Sequence, residues 1–122
     1  MCFVGLPPAS LPFLHMTTVT ITTPAEFETF KKTTPLFLAD FWKDNCMNCK
    51  MLELSFQKAA QTSPAPFATL TLAKLKLEDL GEEIFHAHAV RQAPTLILFR
   101  DGRETARLGG FIAPEKITAL LA

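Results

Sequence analysis

The sequence predicts an α/β domain built on a mixed β-sheet, and three observations predict it. Short runs of β-branched and apolar residues alternate with stretches of helical periodicity along residues 17–99. Two further runs flank Asp101-Gly102, the mark of a tight antiparallel hairpin. A last helical stripe, Ile117, Leu120 and Leu121, closes the chain. Strand–helix–strand connections make parallel neighbours and a hairpin makes antiparallel ones, so the sheet is mixed. The predicted order is β-α-β-α-β-α-β-β-α, with no repeat and no linker inside 17–122.

Length and composition bound what such a domain does. At 122 residues the chain is most simply one domain, long enough to bury a core without metal or disulfide staples. Eleven Phe among 48% hydrophobic residues predict a dense interior. Twelve basic and twelve acidic residues cancel, so electrostatics offers no case for nucleic acid or an anionic membrane as a partner. No apolar run approaches the ~20 residues of a membrane span. Three cysteines are too few for a secreted disulfide framework, and two of them belong to one motif.

The elements follow in order. Residues 1–15 hold Pro7, Pro8 and Pro12 and no Lys or Arg, and lack the basic start and unbroken apolar segment of a signal peptide. They are read as a loosely ordered extension or the product of an upstream start codon, with Cys2 an incidental thiol, and the domain proper as 16–122. Residues 17–22 alternate at Val19 and Ile21 as a short strand. Thr23-Pro24-Ala25-Glu26 joins a capping box to a proline at the first helical position, and Phe27 and Phe30 form that helix's apolar stripe. Pro35 ends it. Residues 36–42 are apolar almost throughout, a central strand buried on both faces, with Asp40 its one charge. A stretch free of Gly and Pro, 47–63, is the longest helix; Leu52, Phe56, Ala59 and Ala60 face inward and Glu53, Gln57 and Lys58 face water. Ser63-Pro64-Ala65-Pro66 breaks it. Residues 69–77 alternate as a strand with Leu70, Leu72 and Lys74 on one face. Residues 80–90 read as a short helix with Ile84 and Phe85 inward. Residues 94–99 and 104–108 are the hairpin strands, followed by Gly109-Gly110.

Chemistry concentrates at Cys46-Met47-Asn48-Cys49. The pair stands where the buried strand hands over to the long helix. Unpaired N–H groups and the positive end of the helix dipole favour a thiolate over a thiol there. Cys49 lies three residues on, on the same side of the first turn and within disulfide reach. One cysteine is thus placed for activation and the other for resolving what the first attacks. C-x-x-C is also half of a zinc site, so a metal module using Cys46, Cys49, His86 and His88 is an alternative. Its difficulty is that His-x-His on a helix splays the rings apart. A redox-inactive scaffold is a third reading, opposed by both cysteines being intact.

Context extends the motif. Phe37-Leu38-Ala39-Asp40-Phe41-Trp42, Cys46-x-x-Cys49-Lys50, Ala73-Lys74-Leu75, Ala93-Pro94-Thr95-Leu96, Phe99-Arg100-Asp101-Gly102 and Leu108-Gly109-Gly110 occur in order. Together they resemble the thioredoxin family over nearly all of 17–122. The resemblance implies a thioredoxin fold and a thiol–disulfide oxidoreductase of the protein-disulfide reductase type, working through its own dithiol with no cofactor and no metal. It implies that Cys46, the more exposed cysteine, is the nucleophile, that Cys49 resolves the mixed disulfide, and that Asp40 is the buried acid/base with Lys74 as its partner. A raised Asp40 pKa is expected from low dielectric. A structural buried ion pair is the plainer account of the same two residues. Trp42, Ala93, a cis Pro94 and Gly109 are the implied substrate-facing residues, with the Ala93 backbone left to pair with an extended segment. Implied partners are disulfide-containing proteins and a thioredoxin-reductase-like electron donor. The chain is expected to be a cytoplasmic monomer that binds neither nucleic acid nor membrane.

Departures from the family pattern fall on the substrate side. Met47-Asn48 replaces Gly-Pro between the cysteines, Asn45 stands where an aromatic often precedes the first, and Leu54 replaces a helix-kinking Pro. The first two bear on thiolate stabilisation, redox potential and the choice of reductase.

Overall fold

A computed structural model describes residues 16–122, and the expected extension 1–15, with Cys2, lies outside the described residues. Strand β1 (Thr17–Ile21) leads to helix α1 (Pro24–Thr33), whose Thr23 cap accepts the Glu26 N–H through its Oγ1 at 3.1 Å. Glu26 reaches back one residue further than a simple capping box requires: its Oε1 accepts the N–H of Thr22 at 2.7 Å. Strand β2 (Leu36–Trp42) and helix α2 (Met47–Thr62) follow, then a 3₁₀ turn (Ala65–Phe67) and strand β3 (Thr71–Lys76). Short helices α3 (Leu77–Leu80) and α4 (Glu82–Ala87), hairpin strands β4 (Thr95–Arg100) and β5 (Arg103–Gly109), and helix α5 (Pro114–Leu121) complete the fold.

The five strands lie in the order β1-β3-β2-β4-β5. β3 runs parallel to both β1 and β2, while β4 runs antiparallel to β2 and β5, which is the mixed sheet that crossovers and a terminal hairpin require. At the hairpin, Asp101 (φ 52°) and Gly102 (φ 79°) both take left-handed backbone, the geometry of a two-residue turn whose twist matches the strands.

Strand alternation divides the core into two layers. Phe37, Ala39 and Phe41 of β2 pack with Phe27, Leu75, Ile84, Phe85, Ile97 and Phe99 beneath α1, α3 and α4. Leu38 of β2 points the other way and packs with Leu52, Phe56, Leu72, Leu96, Leu98 and Ile117 beneath α2 and α5. Asp40 and Trp42 share the α2 side by the same alternation, as do Lys74 and Lys76 of β3. Ser55, buried in α2, donates to the Ile112 carbonyl at 2.7 Å and ties the helix to the loop before α5.

Two expectations are corrected. The single helix at 80–90 is two, because Gly81 adopts φ 91° and ψ 163°, a conformation only glycine takes readily, and breaks the backbone between Leu80 and Glu82. The side chains disguise the break, since Leu80, Ile84 and Phe85 are all buried. The strand expected at 69–77 is shorter at both ends: the Phe67 carbonyl accepts the Leu70 N–H in a turn, and Leu77 already opens α3.

Candidate active site

The site is assembled at one end of the sheet, where β2, α2 and the 93–94 turn meet. Asn45, just before the cysteines, takes φ 54°, a left-handed conformation that asparagine tolerates better than a bulky aromatic. The loop holding it is fixed from the side: Lys76 Nζ pairs with Asp44 Oδ2 at 3.1 Å, and both Glu78 carboxylate oxygens accept the Asp44 N–H at 3.3 Å.

Cys46 is the N-cap of α2, in extended backbone, and its Sγ accepts the N–H of Cys49 at 3.2 Å. An unpaired helix N–H aimed at sulfur is the local reason that charge on Cys46 is favoured, and no acidic residue in the first turn opposes it. Cys46 and Cys49 form a disulfide, with Cα atoms 5.2 Å apart. The expected difference in exposure is not seen: each cysteine is 8% exposed. Position separates them instead, since Cys46 precedes the helix and Cys49 is inside its first turn.

Across the motif, the Ala93–Pro94 bond is cis, Pro94 is fully buried, and the Ala93 carbonyl lies 3.5 Å from Cys46 Sγ. The Pro94 carbonyl accepts the N–H of Gly110 at 3.0 Å, which joins this turn to the 109–110 segment. A Cβ at Gly109 would lie 2.5 Å from the amide nitrogen at the end of the exposed Gln92 side chain, which would have to swing aside. Met47 and Phe111 are large exposed apolar residues following Cys46 and Gly110 in sequence. Nothing in the local sequence pattern of Phe111 and Gln92 distinguishes them from loop residues.

Beneath the cysteines, Asp40 is 4% exposed and pairs in register with Lys74 across β2 and β3. Lys74 Nζ lies 3.8 Å from Asp40 Oδ2 and 4.7 Å from the Trp42 ring centroid. Asp40 Oδ1 and the Trp42 indole nitrogen are buried without a hydrogen-bond partner among the described residues. Burial pushes the Asp40 carboxyl up to about 6, with Lys74 opposing the rise and Glu53 adding to it. Glu53, expected to be simply solvated, lies 3.6 Å from Lys74 Nζ. The available signal was its place four residues after Cys49, on the same helix face.

The raised Asp40 value has a consequence for stability. The unfolded carboxyl titrates near 3.8 and the folded one near 6, so the folded chain holds this proton more tightly. Stability is therefore highest below the unfolded value and falls as pH rises through the folded one, by about 3 kcal/mol in all. Asp40→Asn is expected to gain most of that at pH 8 and little at pH 4, as read by urea denaturation at the two pH values.

The metal alternative finds no support in the geometry. The His88 ring is enclosed by Phe27, Phe41 and Phe99, at centroid distances of 5.3, 5.8 and 6.2 Å, in the core layer opposite α2. Its Nδ1 lies 2.9 Å from the Ile84 carbonyl and its Nε2 3.2 Å from Lys31 Nζ, while His86 is exposed. Among the described residues no cluster of three His, Cys, Asp or Glu side chains has the geometry to hold a metal ion. No helix among them is long and apolar enough to cross a membrane.

Comparison with known proteins agrees with this geometry. The family model described as Thioredoxin matches residues 18–122. A thioredoxin of Mycoplasma pneumoniae is 32% identical over 85 residues, covering 70% of this chain and 78% of its own length. A thioredoxin of Mycoplasmoides gallisepticum is 31% identical over 101 residues, covering 83% of this chain and 96% of its own. Among solved structures, a Plasmodium falciparum thioredoxin superposes with a TM-score of 0.70 at 18% identity, over 84% of this chain and 95% of its own, a likeness of fold.

Proposed function

Because the chain belongs to the thioredoxin family and is a thiol–disulfide oxidoreductase, we propose that it works as a reductase of protein disulfides, with Cys46 attacking and Cys49 resolving. Thioredoxins act through their own dithiol on disulfide-containing proteins and are served by reductases; the direction and the individual roles are the reading proposed here. The observation that carries it is the Cys46 sulfur capping α2 and accepting the Cys49 N–H.

The reaction follows from that placement. The Cys46 thiolate attacks one sulfur of a substrate disulfide, forming a mixed disulfide and releasing one substrate thiolate. The Cys49 thiol gives its proton to Asp40 and attacks Cys46 Sγ, which releases the second substrate thiolate and closes the Cys46–Cys49 disulfide. The substrate gains two electrons, the chain loses two, and a thioredoxin-reductase-like donor returns them. Asp40 suits this role because a carboxyl near 6 is matched to proton transfer near neutral pH, and Lys74 beside it steadies its charged form. The Ala93 backbone beside Cys46 is the edge proposed to pair with an extended substrate segment, with Trp42, Gly109 and the turn that the buried Pro94 shapes as its proposed surroundings. Only Cys2 lies outside the dithiol motif, and cysteine use this sparse fits the reducing cytoplasm, where we place the chain as a monomer.

The test is a redox titration of Trp42 fluorescence against dithiothreitol or glutathione mixtures, with Cys46→Ser as control. A reversible two-electron transition is expected near the about −270 mV known for thioredoxins, and none in the variant. A potential near about −120 mV would reverse the proposed direction, and absence of any transition would remove the role of the pair.

A further inference from the structure

Lys74 is held between two carboxylates. Its Nζ lies 3.8 Å from Asp40 Oδ2 and 3.6 Å from Glu53 Oε2. Neither distance reaches the about 2.7–2.9 Å of a full charge-assisted hydrogen bond. The ammonium is shared, with the Trp42 ring as its apolar floor. The two carboxylates differ in kind: Asp40 is buried in the sheet, whereas the Glu53 side chain is 68% exposed on α2. Asp40, Glu53 and Lys74 together border both hollows under this face of α2. One is the cleft of about 80 Å³ that holds the cysteines, and the other an apolar cavity of about 250 Å³ reaching Met16 and Phe67.

The titratable surroundings of Asp40 are few, and in the reduced chain they include the Cys46 and Cys49 thiols that share its cleft. β3 contributes Lys74, α2 contributes Glu53 and Lys50, and the loop before α2 contributes Lys43 and Asp44, the latter engaged by Lys76. From β4 the residue opposite Asp40 is Leu96, which carries no charge. Lys74 and Glu53 are the charged groups that move the Asp40 equilibrium, in opposite senses.

We infer that Glu53 is a positioning residue for disulfide exchange, drawing the Lys74 ammonium toward α2 so that Asp40 lacks a full counter-ion and stays able to accept the Cys49 proton. The inference rests on the reading of Asp40 as the base for Cys49. In the resolving step the Cys49 S–H bond breaks and its proton goes to an Asp40 oxygen, while the sulfur electron pair forms the bond to Cys46 Sγ and the bond from Cys46 Sγ to the substrate sulfur breaks, releasing the substrate thiolate. Glu53 touches none of these atoms and acts through Lys74. Without its charge, Lys74 closes on Asp40 and makes it a weaker base.

The experiment uses the full reduced chain and two readouts across pH 4.5–9: the Asp40 carboxyl midpoint by ¹³C NMR, and the rate of the resolving step alone, read as the second thiolate released in a single turnover with a small aromatic disulfide. In Glu53→Gln the midpoint and the acid limb of the rate profile are both expected to move down by roughly one pH unit, the effect of a fuller opposite charge. Combined with Lys74→Gln, the same change is expected to give a distinctly smaller shift. An unmoved midpoint in Glu53→Gln, or an equally large shift without Lys74, overturns the positioning role. Asp40→Asn separates the two layers of the argument. If the resolving step keeps the same acid limb in that variant, Asp40 is not the base and the inference falls with it. If the limb is lost while Glu53→Gln leaves it in place, Glu53 alone is misassigned.

Discussion

Replacing Cys46 with Ser is expected to abolish disulfide reduction, whereas Cys49→Ser is expected to stop the reaction half-way with substrate covalently held. A serine hydroxyl at the α2 cap still accepts the Cys49 N–H, so the helix start survives and folding is spared. It is not ionised near neutral pH and cannot form the mixed disulfide, so activity should fall by at least on the order of 10³-fold. Cys49→Ser keeps the attacking sulfur and removes the resolving one. The product is a stable adduct on Cys46, visible as a mass increase that dithiothreitol reverses. Insulin reduction for the first variant and intact mass for the second check both outcomes. Residual turnover in Cys46→Ser, or an adduct found by intact mass on Cys49 of Cys46→Ser and not on Cys46 of Cys49→Ser, would reverse the assignment. That assignment needs this test because the two cysteines are equally buried and exposure does not choose between them.

Phe27→Ala is expected to cost about 3–5 kcal/mol of stability without changing the redox potential. Phe27 is fully buried where α1 meets the sheet, its ring edge-on to Phe37, Phe41 and Phe99 at 6.2, 6.0 and 5.8 Å. It also covers the His88 ring at 5.3 Å, so truncation opens one cavity beside four aromatic groups that interlock too tightly to collapse into it. At about 1–3 kcal/mol per molar urea, the denaturation midpoint should fall by roughly 2 M. The potential should hold because Phe27 lies in the core layer opposite α2 and touches neither cysteine, Asp40 nor Lys74. A loss below about 1 kcal/mol would mean that α1 settles into the gap. A shifted potential would mean that the two layers communicate through β2.

Much of this architecture was readable along the chain because its signals are local. The Thr23 cap and Pro24 start α1, a nearly unbroken apolar run along residues 36–42 announces a central strand buried on both faces, and Asp101-Gly102 closes a hairpin by its own backbone preference. The boundary between strand and helix at Cys46 needs only the end of one pattern and the start of another. The errors arose where side-chain pattern and backbone disagree: at Gly81 the apolar spacing continues while the helix does not, because burial is scored by side chains and the break by φ and ψ.

What the sequence determined by itself is therefore the order of elements, the faces each buries and the cysteine pair at a helix start, all set by neighbours within a few residues. The tertiary structure decided what those neighbours meet. It brought the Ala93 carbonyl to Cys46 across 47 positions. It enclosed His88 in phenylalanine rings away from the cysteines, and it set Lys74 between Asp40 on one strand and Glu53 on a helix above it. Burial and charge at Asp40 depend on those long-range neighbours, since desolvation and Coulomb interaction act through space and are indifferent to the separation along the chain.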